Sequence, residues 1–212
     1  MIPVLKIICA FIASYLIGSI PTAYIFGRLI KKIDIRQHGS GNVGATNAFR
    51  ILGKGPGSFV LLIDILKGAV VTSLVADLFG LTDPLMRVLL GIVVVCGHNW
   101  TVFLNFKGGK GIATSLGVLV GLTIAIASIR PVVLYTFLSW VLAFLLSGYV
   151  SLSSIVAAVV LPILTLVFPQ PFAVVMLSVI LCVFVVLRHR PNITRLLEGK
   201  ESKVRLPWHN PK

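Results

Sequence analysis

The chain has 212 residues, of which 57% are hydrophobic and only 12% charged. A soluble domain carries about twice that charge, so the composition excludes one. The 19 basic residues outnumber 6 acidic ones for a formal charge of +13, but they are divided among short connections rather than laid along a groove, which argues against nucleic acid as a partner.

The apolar residues come in long runs, and roughly 20 such residues cross a bilayer core as a helix. Spans are read at 4–26, 57–79, 85–104, 112–129, 131–148, 152–168 and 171–187. The expectation is an all-α polytopic membrane protein, a single domain over 1–212 with about seven transmembrane helices. The first run is too long for a signal peptide and continues through Pro21 and Tyr24 without a small-residue cleavage pattern.

Lys31, Lys32, Arg36, Arg50 and Lys54 fall between the first two spans, and Lys107 and Lys110 between the third and fourth. Arg188, Arg190, Arg195, Lys200, Lys203, Arg205 and Lys212 follow the last. The alternate connections hold little besides Arg87 and Arg130. Positive charge marks the inner side, so the N-terminus is expected outside and the C-terminus in the cytoplasm. Lys31, Lys32 and the last ten residues are read chiefly as topology signals that also attract anionic headgroups. Cys9, Cys96 and Cys182 all lie in apolar runs without CxxC spacing or a Cys/His cluster, so neither disulfide nor metal site is expected.

Four polar clusters stand out on the inward side. The first, Gly39-Ser40-Gly41-Asn42-Val43-Gly44-Ala45-Thr46-Asn47, contains a literal G-x-G-x-x-G. The dinucleotide reading fails because a membrane helix, not a strand, precedes it. Small residues there aim backbone N–H groups into one concavity, and a short helix starting near Gly44 adds its positive end. Ser40, Asn42 and Arg50 are then donors around an anion, with Asn47 and Arg50 on the polar face of that helix. The second cluster is Asp64 and Lys67, three apart on one helical face. They are either a self-neutralising pair or substrate contacts.

The third runs from His98-Asn99 through Lys107-Gly108-Gly109-Lys110-Gly111 to Thr114. It is not a Walker A loop, since Leu104 stands where the first glycine belongs and Gly111 follows the lysine. Gly-Gly-Lys-Gly before a helix still suits an anion, through flexible backbone donors, a lysine charge and a helix N-terminus. His98 and Asn99 are either ligands or partners for backbone at a helix end. The fourth cluster, Arg188-His189-Arg190-Pro191-Asn192 to Glu198-Gly199, offers His189, Asn192 and Glu198 as polar contacts, with Leu196 and Leu197 anchoring a short interfacial helix. Its Asn192-Ile193-Thr194 sequon lies on the inward side and is not a glycosylation site. Ser151, Ser153 and Ser154 add hydroxyls at the same side, one of them accounted for as a helix N-cap.

The runs GSGNVGATN, DxxKG from Asp64 to Gly68, GHNWxxFxxFKGGKGxAT and RHRPNIxRLLxGxE occur in this order across essentially the whole chain. Together they resemble the bacterial acyl-phosphate-dependent glycerol-3-phosphate acyltransferases, the PlsY family. The resemblance implies a multi-pass enzyme of the bacterial inner membrane with its active site facing the cytoplasm. Its reaction joins an acyl group from acyl phosphate to position 1 of sn-glycerol 3-phosphate, giving lysophosphatidic acid and inorganic phosphate. By resemblance Lys110, His189 and Asn192 are catalytic. The substrate-binding set is Ser40, Gly41, Asn42, Gly44, Asn47, Arg50, Asp64, Lys67, His98, Asn99, Gly108, Gly109, Gly111, Thr114, Ser151, Ser153 and Glu198. No cofactor is implied. The partners are the two substrates, membrane lipid and a candidate soluble enzyme that makes acyl phosphate.

The residues agree on one point independently. None of the histidines has Asp at the H-x-x-x-x-D spacing of the other glycerolipid acyltransferase class: His38 meets Val43, His98 meets Phe103 and His189 meets Thr194. An acyl transfer here lacks an obvious protein base, and the donor phosphate is expected to accept the proton. The rival from another class is a transporter of an organic phosphate or anionic lipid, but no internal repeat is visible and the outward connections are nearly featureless.

Overall fold

A computed structural model describes residues 3–204, so the basic residues Arg205 and Lys212 lie outside it. Among the described residues every regular element is helical: α1 Val4–Ser19, α2 Thr22–Lys31, α3 Ala45–Leu52, α4 Lys54–Leu78, α5 Pro84–Asn99, α6 Ile112–Ala125, α7 Arg130–Ser147, α8 Val150–Val167, α9 Phe172–Arg188 and α10 Arg190–Leu197. The chain divides into two compact units, Met1–Ala127 and Ser128–Lys212.

The chain is a membrane protein. Four stretches, Lys54–Leu78, Pro84–Leu104, Ala127–Ser147 and Val150–Val167, are long and apolar enough to cross a bilayer. The pairs α1–α2 and α9–α10 add a span each if their bends of 40° and 58° are crossed as one, giving up to six. The fourth expected span, 112–129, is only a 14-residue helix, because Ile126 turns extended and a 3₁₀ turn at Ala127–Ile129 follows. The first expected span, 4–26, is broken. Pro21 has no N–H to give the preceding turn, so α1 stops at Ser19 and α2 restarts at Thr22.

In the first unit α1 packs on α5 and α4 on α6, and glycine sets the spacing. A Cβ on Gly117 would meet the Ile65 carbonyl at 1.8 Å, and one on Gly18 the Val94 carbonyl at 2.1 Å. Backbones in contact are the usual solution where lipid removes the hydrophobic drive between helices. α4 carries a π turn at Val71–Val75. Arg87, expected as a residue of an outward connection, is instead buried and donates to the carbonyls of Thr72 at 2.8 Å and Ser73 at 3.3 Å while pairing with Asp77. Nearer the basic end, Ala23, Ile35, Val43, Ala48, Leu52, Val60 and Leu104 form one buried cluster.

In the second unit α8 packs between α7 and α9. Trp140 on α7 donates to Ser154 on α8 at 3.2 Å, and Thr165 on α8 meets Ser178 on α9 at 3.3 Å. Such polar contacts tie helices whose outer faces carry large exposed apolar groups, Leu134, Phe137, Leu142 and Leu166 among them.

Candidate active site

The first glycine segment is held from within. Asp34 accepts Arg36 Nη2 at 2.6 Å and the Arg36 amide at 3.0 Å, fixing the 3₁₀ turn Ile35–Gln37. The side-chain hydrogen bond from Arg36 does most to hold the Asp34 carboxyl at a pKa of about 2. Gly39 and Gly41 then take φ of +62° and +70°, a region open mainly to glycine. Asn47 is not on the polar face expected for it. It is buried, its Oδ1 accepts the Ser40 amide at 3.0 Å, and its Nδ2 donates to the His38 carbonyl at 3.0 Å. Asn42 Oδ1 likewise accepts the Gly44 amide at 2.9 Å, and the Gly41 amide donates to the His38 carbonyl at 3.1 Å. The segment is therefore a rigid turn clamped by Asn47, and three of its amides face inward.

Ser40 and Arg50 remain exposed. Gly44 ends the turn and opens α3, as its spacing predicts, so the first amides of α3, those of Ala45 and Thr46, lie at a helix N-terminus without intrahelical acceptors. Lys31 does more than mark a side: its Nζ donates to the Ile51 carbonyl at 2.5 Å, at the C-terminal end of α3, where a cation is favoured.

The second glycine segment departs further from expectation. The Gly108 amide donates to the Asn99 carbonyl at 3.1 Å and the Gly109 amide to the His98 carbonyl at 3.0 Å. These two amides are engaged with the end of α5 and are not the flexible anion donors expected from Gly-Gly-Lys-Gly. The glycines serve close approach instead. A Cβ on Gly108 would lie 2.0 Å from the His98 carbonyl, and one on Gly109 2.2 Å from His98 Nε2. Gly111 adopts φ +79° against Asn99. Lys110, half-buried, follows directly and precedes the N-terminus of α6, a helix end that suits an anion. Thr114 and Ser115 sit in the first turn of α6, buried, with hydroxyls that make no hydrogen bond to the protein. Ser115 was not singled out by sequence; a second hydroxyl beside Thr114 was the available signal. Val43 of the first segment and Leu104, just before the second, share the same buried cluster, so both segments stand on one apolar base.

Asp64 and Lys67 are buried and meet at 2.8 Å. Asp64 Oδ1 also accepts Thr22 Oγ1 at 3.1 Å, and Lys67 donates to the Ile20 carbonyl at 2.5 Å. Of the alternatives open from sequence, the self-neutralising pair is what the fold contains.

In the second unit none of the three serines caps α8. Tyr149 holds the N-cap position without a side-chain bond. Ser153 and Ser154 sit within the helix and donate back to the carbonyls of Tyr149 and Val150, both at 2.8 Å. His189 stands at the bend between α9 and α10, its Nδ1 2.8 Å from the Val185 carbonyl. A carbonyl only accepts, so Nδ1 carries the proton and the neutral ring is unprotonated at Nε2. Asn192 Nδ2 donates to Glu201 Oε1 at 2.6 Å, and Arg195 Nε to Glu201 Oε2 at 2.7 Å. Glu198, the acid singled out from sequence, is exposed and pairs with Lys200 at 3.0 Å; the carboxylate joined to Asn192 is Glu201. Past it, the Val204 amide donates to the Gly148 carbonyl at 2.9 Å.

A family model described as "Glycerol-3-phosphate acyltransferase" matches residues 8–199. The chain is 44% identical over 196 residues to "Glycerol-3-phosphate acyltransferase 2" of Moorella thermoacetica, spanning 92% of this chain and 96% of that protein. It is 42% identical to "Glycerol-3-phosphate acyltransferase" of Halalkalibacterium halodurans, over 91% of this chain and 93% of that protein. Among solved structures it resembles PlsY (YgiH), an integral membrane glycerol 3-phosphate acyltransferase. The TM-score is 0.84 to the glycerol 3-phosphate form at 38% identity, covering 94% of this chain and 96% of that one. To the lysophosphatidic acid form it is 0.82, also at 38% identity, covering 94% and 95%.

Proposed function

We infer that acyl phosphate is the donor for this chain, which belongs to the glycerol-3-phosphate acyltransferase family. The chain transfers an acyl group to glycerol 3-phosphate, giving lysophosphatidic acid. What carries the donor assignment is the pairing of two anion-suited segments on one apolar base. One is the Ser40 turn at the N-terminus of α3, with Arg50 in the last turn of that helix; the other is Lys110 with the Thr114 and Ser115 hydroxyls at the N-terminus of α6. An acceptor phosphate and a donor phosphate require two such places.

Supporting it is the sequence, in which no histidine stands in an H-x-x-x-x-D dyad. His98 lies 3.8 Å from Asp64, but that carboxylate is shared with Lys67 and Thr22 inside the helices. In the proposed reaction the 1-hydroxyl oxygen of glycerol 3-phosphate attacks the acyl carbonyl carbon. The bond from that carbon to the phosphate oxygen breaks, and the hydroxyl proton ends on the departing inorganic phosphate. The protein's share is positioning and charge: Arg50 and Lys110 offset the phosphates, and His189 and Asn192 serve as the remaining catalytic groups. The basic connections face the cytoplasm of a bacterial inner membrane in this reading, and the hydrocarbon chain of the donor stays in lipid.

The test is glycerol-3-phosphate-dependent release of inorganic phosphate from synthetic acyl phosphate by the purified chain. Lys110→Ala and Arg50→Ala are each expected to lower kcat/KM by about 10²-fold or more, as loss of a transition-state charge partner does. Near-wild-type turnover in both overturns the site, and equal product formation from acyl-CoA overturns the donor. A pH–rate profile governed by an imidazole and abolished in His189→Ala would assign the base to the protein instead.

A further inference from the structure

Pro21 breaks the first span, and the carbonyls it exposes are taken up by side chains from elsewhere. Ser19 O accepts Thr101 Oγ1 at 2.5 Å, and Ile20 O accepts Lys67 Nζ at 2.5 Å. Tyr15 Oη donates to the Trp100 carbonyl at 2.6 Å, and Ser19 Oγ to the Gly97 carbonyl at 3.3 Å. The break between α1 and α2 is thereby fastened to the end of α5.

Asp64 sits at the middle of this arrangement. It receives Thr22 from the first turn of α2 and Lys67 from its own helix, and it lies 3.8 Å from His98 Nδ1, an electrostatic contact rather than a hydrogen bond. His98 in turn supports the glycine segment twice over. Its carbonyl accepts the Gly109 amide at 3.0 Å, and its ring lies where a Cβ on Gly109 would come within 2.2 Å of Nε2. The next residue is Lys110.

We propose that Asp64 and Lys67 are positioning residues for Lys110: the buried pair fixes the broken first span against α4 beside the His98 ring and thereby sets where His98, Gly109 and Lys110 stand. A pair retained only to tie helices could be exchanged for apolar side chains at little cost, since burying two charges consumes most of what their attraction returns. Here the pair also orients the ring and backbone that carry a phosphate-facing lysine, and displacement of such a group by about 1 Å costs about 10²-fold in rate. The inference rests on the reading of Lys110 as a substrate-facing charge.

The experiment is a double-mutant cycle in the purified chain, read as kcat/KM for glycerol 3-phosphate with acyl phosphate as donor. Asp64→Asn/Lys67→Met removes both charges together. It is expected to fold and to lose about 10- to 100-fold in kcat/KM. In a Lys110→Ala background the same double change is expected to cost less than about threefold, because the group it positions is gone. Equal losses in both backgrounds, or wild-type kcat/KM in the pair-free protein, overturn the proposal. Thr22→Val, which removes one hydrogen bond to Asp64, provides the same comparison at smaller amplitude if the pair-free protein does not fold, and additivity there overturns the proposal as well. Near-wild-type activity of Lys110→Ala alone is a different outcome: it overturns the site reading itself.

Discussion

Asn192 donates its side-chain amide to Oε1 of Glu201 at 2.6 Å, while Arg195 occupies Oε2 at 2.7 Å. One carboxylate thus ties two residues of α10 to the segment that follows it. Burial alone would raise the Glu201 pKa, but the bonds from Asn192, Arg195 and Ser151 outweigh it and the pKa is lowered. The Ser151 contact is the weakest of these, as its hydroxyl makes no hydrogen bond of ordinary geometry. A lowered folded pKa contributes stability that is complete above the unfolded value of about 4.5 and disappears as pH falls through the folded value. The protection of residues 199–204 against hydrogen exchange, taken relative to the unstructured chain at each pH, is therefore expected to fall in the wild type as pH drops below about 4.5. In Glu201→Gln it is expected to be low at every pH, with turnover at neutral pH down about tenfold through loss of Asn192 placement. A tail whose exchange in Glu201→Gln matches the wild type at neutral pH would refute the strap.

Helix packing in the first unit makes a separate prediction. Gly117 has the Ile65 carbonyl 1.8 Å from where a Cβ would stand, with the Ala69 amide at 3.1 Å, all of it backbone that cannot swing aside. Gly117→Ala must push α6 off α4 and is expected to cost at least 1–3 kcal/mol, roughly the range for overpacking. Gly55→Ala, at a position with nothing within 4 Å and no positive φ, is the matched control and should be neutral or stabilising by a few tenths of a kcal/mol. Thermal unfolding in one detergent, followed for both, checks the difference.

How much of this was legible in the sequence divides along a physical line. Run length and charge gave the membrane class, because lipid acts on composition and needs no tertiary information. The start of α3 at Gly44 and the meeting of Asp64 with Lys67 were also readable, since both are local. What failed was every inference about a backbone partner far along the chain. Gly108 and Gly109 read as flexible donors, but a glycine required for close approach and one required for freedom are the same letter; that the α5 carbonyls lie beneath them is set by packing. Asn47 read as surface because helical phase cannot reveal that a preceding turn folds back onto it. Glu198 was preferred to Glu201, although Glu201 closes the motif RHRPNIxRLLxGxE and Glu198 fills an unspecified place in it. The fixed positions of that motif already point to the acid that meets Asn192.

Arg87 gives a last prediction, at the other end of α5. Eleven residues separate it from His98, about 16 Å along a helix. Its guanidinium takes up the carbonyls of Thr72 and Ser73, which belong to the π turn in α4, and pairs with Asp77. The Ser73 carbonyl also accepts the Ala76 amide, so the Thr72 carbonyl is where the guanidinium contributes most, and an unsatisfied buried carbonyl costs about 1–3 kcal/mol. Asp77 is 55% exposed and can be solvated when alone, so the loss should come from the carbonyls rather than from a stranded acid. Arg87→Met is accordingly expected to lower stability by about 1–3 kcal/mol, and Asp77→Asn by under about 1 kcal/mol. The rate per folded molecule should stay within about twofold of wild type in both, since neither touches the basic end where Lys110 and Arg50 stand. Unfolding midpoints and active-fraction-corrected kcat measured on the same samples separate the effects; a large fall in corrected kcat for Arg87→Met would show that the π turn reaches the chemistry.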